Sequence, residues 1–305
     1  MASAGPLLVF GAGYLGRRAL DAARARGRAT VGTSRQAETR AGLEAAWHAA
    51  VDPADPAALE AAVAGASAIL ITAAPDADGC PGLRALIPAL SQAGAYPDWI
   101  GYISSTGVYG DRDGGWAFED DPLNAAALEG ARRVQAERGW LDAGRGMGLT
   151  VQVFRLPAIY GPGRSPVERL REGTARLVRK PGQIFNRIYV DDAVDGLFAS
   201  MDRPHPGRAY NLVDDAPAPA DVVLEWTARR LGLPLPPEVD WTDPSVSEAM
   251  RRFYLDSKRV SNARAKAELG WRPAHPTWRE GVEAVIRGEG RVASGEWLVT
   301  RLRTQ

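Results

Sequence analysis

The sequence predicts an α/β protein, a doubly wound parallel sheet followed by a smaller second lobe of α/β character. Two observations carry that expectation. Short apolar runs alternate with Ala-rich helical stretches through the first half, as in βαβ units whose sheet is covered on both faces. After about Tyr160, prolines and glycines crowd in (Gly161-Pro162-Gly163, Pro234, Pro236, Pro237) and the helical stretches shorten, which suits a lobe built from discontinuous segments. A length of 305 residues fits about two such units.

The elements follow in order. Pro6–Phe10 reads as a buried strand, a glycine cluster comes next, and Tyr14–Arg26 is an amphipathic helix. Thr30–Ser34 is a second strand, Ala57–Ala64 a helix, Ala68–Thr72 a third strand and Leu83–Ala93 a helix. Trp99–Ser104 is a strand, Ala125–Asp142 a long helix after a Gly/Asp-rich loop, and Thr150–Arg155 a further strand. Right-handed crossovers would bring the strand C-termini to one rim, where a ligand should bind. The expected division is a dinucleotide-binding domain over residues 1–160, with a later contribution around 187–213, and a substrate lobe over 161–305.

Composition narrows the function. Lys and Arg total 37 against 37 Asp and Glu, so the basic excess of a nucleic-acid binder is missing. One cysteine, Cys80, cannot form an internal disulfide, and His48, His205 and His275 stand at no metal-ligand spacing. No apolar run approaches the ~20 residues of a membrane span, and no cationic leader precedes the first one. The expectation is a cytoplasmic protein with a small-molecule substrate and neither metal, membrane nor nucleic acid as partner. Among the 37 cations only Lys180, Lys258 and Lys266 are lysines.

Gly11-Ala-Gly13-Tyr14-Leu15-Gly16 follows the first strand and opens the first helix. Gly11 allows the tight turn, Gly13 lets backbone approach a pyrophosphate, Gly16 permits close helix–strand packing, and the helix N-terminus favours phosphate. The context predicts a dinucleotide site of Rossmann type. An NAD site usually places an acid at the end of the second strand. Thr33-Ser34-Arg35 stands there instead, and a guanidinium with two hydroxyls suits a 2′-phosphate, so NADP(H) is expected over NAD(H). Asp52 could accept from the adenine amine, and Ala73 and Ala74 could lie against the cofactor; packing or a turn explains each equally well.

Several segments resemble the extended and atypical short-chain dehydrogenase/reductases of the NAD(P)-dependent epimerase/dehydratase superfamily. They are Ile103-Ser-Ser-Thr-Gly-Val-Tyr-Gly110, Phe154-Arg-Leu-Pro-Ala-Ile-Tyr-Gly-Pro-Gly-Arg164, Arg187-Ile-Tyr-Val-Asp-Asp192, Tyr210-Asn-Leu-Val213 and Ala267-Glu-Leu-Gly-Trp271, in the family's order. The resemblance implies an active site between the two lobes. Ser105, four residues before Tyr109, matches the catalytic Ser/Thr that hydrogen-bonds the reacting oxygen; a serine ending a strand also caps loops. Ser104 would contact the nicotinamide side, and Tyr109, Tyr160 and Arg164 would stand near the substrate. Asp78 falls where extended members use a relay asparagine, with Asp76 two residues away. A homodimer through Leu83–Ala93 and Ala125–Asp142 is also implied, although the same Ala-rich faces could pack on the sheet.

The family's Tyr-x-x-x-Lys pair places both residues on one helical turn, where the cations lower the tyrosine pKa for proton transfer. Aligning the later glutamate with Glu137 puts Glu129 at the tyrosine position and Arg133 at the lysine position. A register shifted by one would bring in Leu128 and Arg132. Arg133 can keep a ribose-binding cation but cannot relay its own proton. Glu129 is either a replacement acid or a solvated carboxylate paired with Arg132 or Arg133. The other match, Tyr254-Leu-Asp-Ser-Lys258, lies in the second lobe and reads as coincidence. Three functions remain: an NADP(H)-dependent oxidoreductase acting on a small carbonyl, alcohol or imine with a non-standard proton donor; a nucleotide-sugar epimerase or dehydratase; and an NADP-binding sensor that has lost catalysis.

Overall fold

A computed structural model of the chain describes residues 5–288. All of β1 (Leu7–Phe10) is buried, and α1 (Tyr14–Ala25) packs behind it on Leu15, Ala19, Leu20 and Ala23. After β2 (Thr30–Thr33) come α2 (Ala37–Ala45) and β3 (Ala49–Val51), two elements absent from the sequence expectation. The buried residue of α2 is Leu43 and β3 is a short edge strand, so neither has an apolar pattern to betray it. In α3 (Pro56–Gly65) Asp55 accepts the N–H groups of Ala57 and Ala58, and Pro56 occupies the first turn, where its missing N–H costs nothing.

Next come β4 (Ala68–Ile71), α4 (Pro81–Ala93) and β5 (Trp99–Ser105), which runs into a 3-10 turn over Thr106–Tyr109, and then β6 (Trp116–Ala117). The long helix α5 (Leu128–Met147) begins at Leu128 rather than Ala125, because Ala127 is extended, and continues past Asp142 until Gly148 turns left-handed at φ 67°. The rest are β7 (Val151–Leu156), β8 (Ala158–Tyr160), α6 (Pro166–Arg171), β9 (Leu177–Arg179), β10 (Arg187–Tyr189), α7 (Val190–Asp202) and β11 (Ala209–Asn211). Then follow α8 (Ala220–Arg230), β12 (Glu238–Asp240), α9 (Glu248–Phe253), β13 (Arg259–Val260), α10 (Ala263–Glu268) and α11 (Trp278–Ile286).

The central sheet has seven parallel strands in the order β11-β7-β5-β4-β1-β2-β3. Alternate strand residues feed two cores. Leu7, Val9, Leu70, Ile103 and Phe154 meet α1 and α7 on one face, while Leu8, Ile69, Ile71, Tyr102 and Val153 meet α3, α4 and α5 on the other. The strand order reverses between β1 and β4, and loops leaving the strand C-termini there form the ligand crevice of doubly wound sheets. Beyond β7 the pairs β8–β10 and β9–β12 form small parallel sheets, and Tyr160, Val167, Tyr189, Trp278 and Val282 build a separate core under α6, α8 and α11. No helix among the described residues is long and apolar enough to cross a membrane.

Candidate active site

The glycine loop has three different environments. Gly11 sits at φ +101°, and a Cβ there would stand 2.9 Å from the Ala73 nitrogen. A Cβ on Gly16 would come within 2.7 Å of the Gly11 carbonyl oxygen and 3.0 Å of Val9, so the helix lies close against β1. A Cβ on Gly13 would meet nothing within 4 Å. That exposed backbone faces open space at the start of α1, whose first turn carries no acidic residue. The first N–H groups of the helix, beginning at Tyr14 and Leu15, have no carbonyl one turn behind them and can receive phosphate oxygens. The cradle fits a dinucleotide pyrophosphate.

Thr33 is buried, and its Oγ1 accepts the Gly11 N–H at 3.0 Å, so this residue shapes the loop instead of meeting a ligand. Arg35 is exposed at the end of β2 and free to reach a phosphate. Ser34 is half-buried; its Oγ accepts the Gln36 N–H at 3.2 Å and its carbonyl accepts Arg40 Nη1 at 2.7 Å. Arg40 also pairs with Asp52 Oδ2 at 2.9 Å. With Asp52 Oδ1 accepting the Ala54 N–H at 3.0 Å, the proposed adenine acceptor already has a partner on each oxygen. Arg40 thus lies against the residue before Arg35, and Arg17 Nη2 lies 4.0 Å from the Cβ position of Gly42 on the same helix. Sequence reading missed both, since placing Arg40 requires α2. Ala73 closes under Gly11, whereas Ala74 is exposed.

At the C-terminal end of β5 successive residues diverge. Ser105 is half-buried, and its Oγ accepts the Gly107 N–H at 3.1 Å, which caps the following turn but leaves the hydroxyl hydrogen available. Ser104 points to the opposite face. It is 3% exposed and donates to Glu137 Oε1 at 2.5 Å, so it does not face a nicotinamide. Glu137 in turn holds Arg155, with Nη2 to Oε2 at 2.8 Å. Arg155 Nη1 donates to the Tyr109 hydroxyl at 3.0 Å and to the Glu119 carbonyl at 2.8 Å, and Tyr109 donates to Asn211 Oδ1 at 2.7 Å. Tyr109 is therefore a fully buried strut between β7 and β11, not a substrate contact, and burial pushes its hydroxyl up to about 12.

The helix expected to bear a tyrosine bears none at this end. Glu129 is exposed and pairs at 3.4 Å with Arg252 of α9, not with Arg132 or Arg133. Its exposure removes the burial that would make it a poised acid. Arg133, one turn on, donates from Nη1 to the Ile103 carbonyl at 2.9 Å, which fixes a cation beside the strand end that carries Ser105. Tyr254 ends α9 and Lys258 lies in extended chain, buried and paired with Asp256 at 3.2 Å, so those two do not share a helical turn. Asp78 is exposed in a turn closed by Asp76. Asp76 is clamped by both ends of the Arg84 guanidinium at 3.1 and 2.9 Å, and that hydrogen bonding holds its carboxyl below the usual range.

A cleft of about 640 Å³ opens beside this rim, lined by Ala158, Tyr160, Arg164, Arg187, Val223 and Val282 among others. Tyr160 forms its wall and Arg164 its edge. The Arg164 guanidinium lies 5.7 Å from the Tyr14 ring centroid, and the Tyr14 hydroxyl donates to the Pro162 carbonyl at 3.1 Å. Tyr14, inside the glycine loop, thus touches the edge of the cleft. No group of His, Cys, Asp and Glu among the described residues could hold a metal ion.

No protein-family model matches the chain. A functionally unknown conserved protein from Silicibacter pomeroyi is 41% identical, with TM-score 0.87 over 93% of this chain and 99% of its own. A protein from Methylobacillus flagellatus, provisionally assigned as an NAD-dependent epimerase/dehydratase, is 26% identical over 94% of this chain and 99% of its own, with TM-score 0.70. The dTDP-glucose 4,6-dehydratase of Bacillus anthracis, solved with NAD, shares the fold at TM-score 0.78 and 17% identity over 93% of this chain and 96% of its own. Among curated proteins, 3-diazoavenalumate denitrifying reductase from a Streptomyces species is 32% identical over 43% of this chain and 45% of its own length. The chain spans about half the length of the curated relatives it matches. Together with the glycine cradle and the strand-end serine, these likenesses give the fold: the chain has the Rossmann-type architecture of the NAD(P)-dependent epimerases and dehydratases to which it is similar.

Proposed function

We propose that the protein is an NADP(H)-dependent oxidoreductase acting on a small carbonyl, alcohol or imine. The observation that carries this reading is the open glycine cradle at Gly13 on the same rim of the sheet as Ser105, with Tyr14 of that loop against the Pro162–Arg164 edge of the cleft. The cofactor, when bound, supplies or takes the hydride. The backbone of Gly13 and the start of α1 hold its pyrophosphate, and Arg35, Ser34 and Arg40 hold the 2′-phosphate. Ser105 donates its remaining hydroxyl hydrogen to the reacting oxygen or nitrogen. Arg133 contributes a permanent positive charge beside it but no proton. With no buried acid at Glu129, the acceptor must be activated or carry its own proton source. The reductase named among the relatives favours reduction over epimerisation, which leans more heavily on the absent tyrosine. A homodimer through α4 and α5 belongs to the same reading.

The test is consumption of NADPH by the purified protein against a panel of aldehydes, ketones and imines. Turnover is expected with at least one acceptor, and Ser105→Ala should slow it ~10²–10⁴-fold, the usual worth of a positioned proton or hydrogen-bond donor, with cofactor affinity retained. The exposed Glu129–Arg252 pair favours a second reading, an NADP-binding sensor without catalysis. Tight NADPH binding with no hydride transfer to any acceptor would select it.

A further inference from the structure

Arginines and acids alternate around the end of β2. Arg35 is exposed there, and its guanidinium makes no hydrogen bond or ion pair among the described residues. Two carboxylates flank it. Asp52 stands on one side, because β2 and β3 pair Thr33 with Val51, and Arg40 holds its Oδ2 at 2.9 Å. Asp76 stands on the other side, in the loop after β4, and both its oxygens meet the Arg84 guanidinium, at 3.1 and 2.9 Å. Both acids flanking Arg35 are thus already held by other arginines.

The fold fixes Asp76 at this place. Strands β2 and β4 lie on either side of β1, so their C-terminal ends bracket the glycine loop roughly 10 Å apart, a gap that two extended side chains can cross. The chain leaving β4 is tied to that loop: the Thr72 hydroxyl donates to the Gly11 carbonyl, and the Ala73 N–H to that of Phe10 at 3.2 Å. The Asp76 N–H then donates to the Gly79 carbonyl at 2.9 Å, and Gly79 closes the turn in the left-handed region at φ +99°. The Asp78 N–H donates to Asp76 Oδ1 at 2.9 Å, and Arg84 reaches back from the start of α4. Hydrogen bonding from Arg84 holds the Asp76 carboxyl below the usual range, and the charge of Arg35 adds to it, so the two stand within electrostatic reach.

We propose that Arg84 sets the cofactor preference through Asp76: by holding both oxygens of that carboxylate, it keeps Arg35 unpaired for the 2′-phosphate of NADP(H). The assignment rests on the NADP(H) reading of this site and makes Arg84 a positioning residue, with no contact to the cofactor. Without Arg84, Asp76 becomes an unneutralised carboxylate that can pair with Arg35 and repel a dianionic phosphate. A ribose that carries a 2′-hydroxyl brings no charge to this corner, so NAD(H) feels the change far less. The two side chains of the pair are each 45% exposed, so its removal costs the fold little and the variant remains testable.

The test is fluorescence titration of the purified protein with NADPH and with NADH, in the wild type, in Arg84→Gln and in the double variant Arg84→Gln, Asp76→Asn. The readout is the ratio of the two dissociation constants, and no turnover is required. Arg84→Gln should weaken NADPH about three- to tenfold, the worth of one unit charge about 6 Å from a doubly charged phosphate in a water-like medium, and leave NADH within about twofold. Adding Asp76→Asn should restore the wild-type ratio, since the acid that competes for Arg35 is gone. A direct phosphate contact by Arg84 would leave the double variant as weak as the single one. A purely structural role would weaken both cofactors alike. Either result overturns the proposal, as does an unchanged ratio in Arg84→Gln. A wild-type protein with no preference for NADPH would overturn the NADP(H) reading and this proposal with it, a signature distinct from a wild-type preference that ignores Arg84.

Discussion

At the β1–β2 end of the rim, the open groups are mostly backbone: the exposed Gly13 and the start of α1, with the exposed Arg35 at the end of β2. At the β5–β7 end the polar side chains are bonded to one another, from Ser104 through Glu137 and Arg155 to Tyr109 and Asn211. The first arrangement leaves donors unsatisfied for a phosphate to complete. The second spends its polar groups on holding three strands and a helix in register, and leaves the Ser105 hydroxyl hydrogen outside that network. One rim thus binds through what is missing and positions through what is already paired.

The largest effect that could break this contrast is at Arg155. Arg155→Ala leaves the Glu137 carboxylate buried without its cation, and a loss of about 3–5 kcal/mol is expected, read as a fall in the denaturation midpoint. A change under 1 kcal/mol would mean that the network is ornamental. Next comes pH. Burial raises the Asp214 carboxyl to about 7 in the fold, well above the usual carboxylate range, so the folded protein binds its proton more tightly. Its contribution is full below pH 4 and is lost as pH rises through about 7. Asp214→Asn should therefore flatten the fall in Tm between pH 4 and 7 and leave the variant no less stable than wild type at pH 8. An unchanged pH profile would refute the assignment.

A subtler effect belongs to the cofactor end. Arg35→Ala should lower the NADPH-to-NADH affinity ratio about tenfold or more, as expected for a lost charge-assisted contact; an unchanged ratio would remove Arg35 from the 2′-phosphate site. The smallest effect is at Glu129. As one member of an exposed pair, Glu129→Gln should cost under ~1 kcal/mol and leave turnover intact. A collapse of the pH–rate profile in that variant would instead restore it as the acid.

These two ends were not equally legible in the sequence. Gly11, Gly13 and Gly16 act within six residues of one another, so spacing alone carries their roles. Tyr109 and Asn211 are 102 positions apart, and Glu137 and Arg155 are 18 apart. No local pattern says that Tyr109 is a strut or that Ser104 is spoken for. Ser104 and Ser105 adjoin in sequence, but the two-residue period of a strand sends them to opposite faces. The helix α2 with Arg40, and the strand β3 ahead of Asp52, escaped for a different reason: at the sheet edge little apolar surface needs covering, and periodicity fades with it.

The Tyr14 hydroxyl on the Pro162 carbonyl joins residues 148 positions apart, one beside the glycine cradle and the other on the cleft edge. On the proposed reading, the seats for cofactor and substrate therefore share a doorpost. Anything that settles against the glycine loop steadies the side chain that props the Pro162–Arg164 edge. Such a protein would be inclined to take its ligands in sequence, nucleotide first, with the second doorway squared by the arrival of the first.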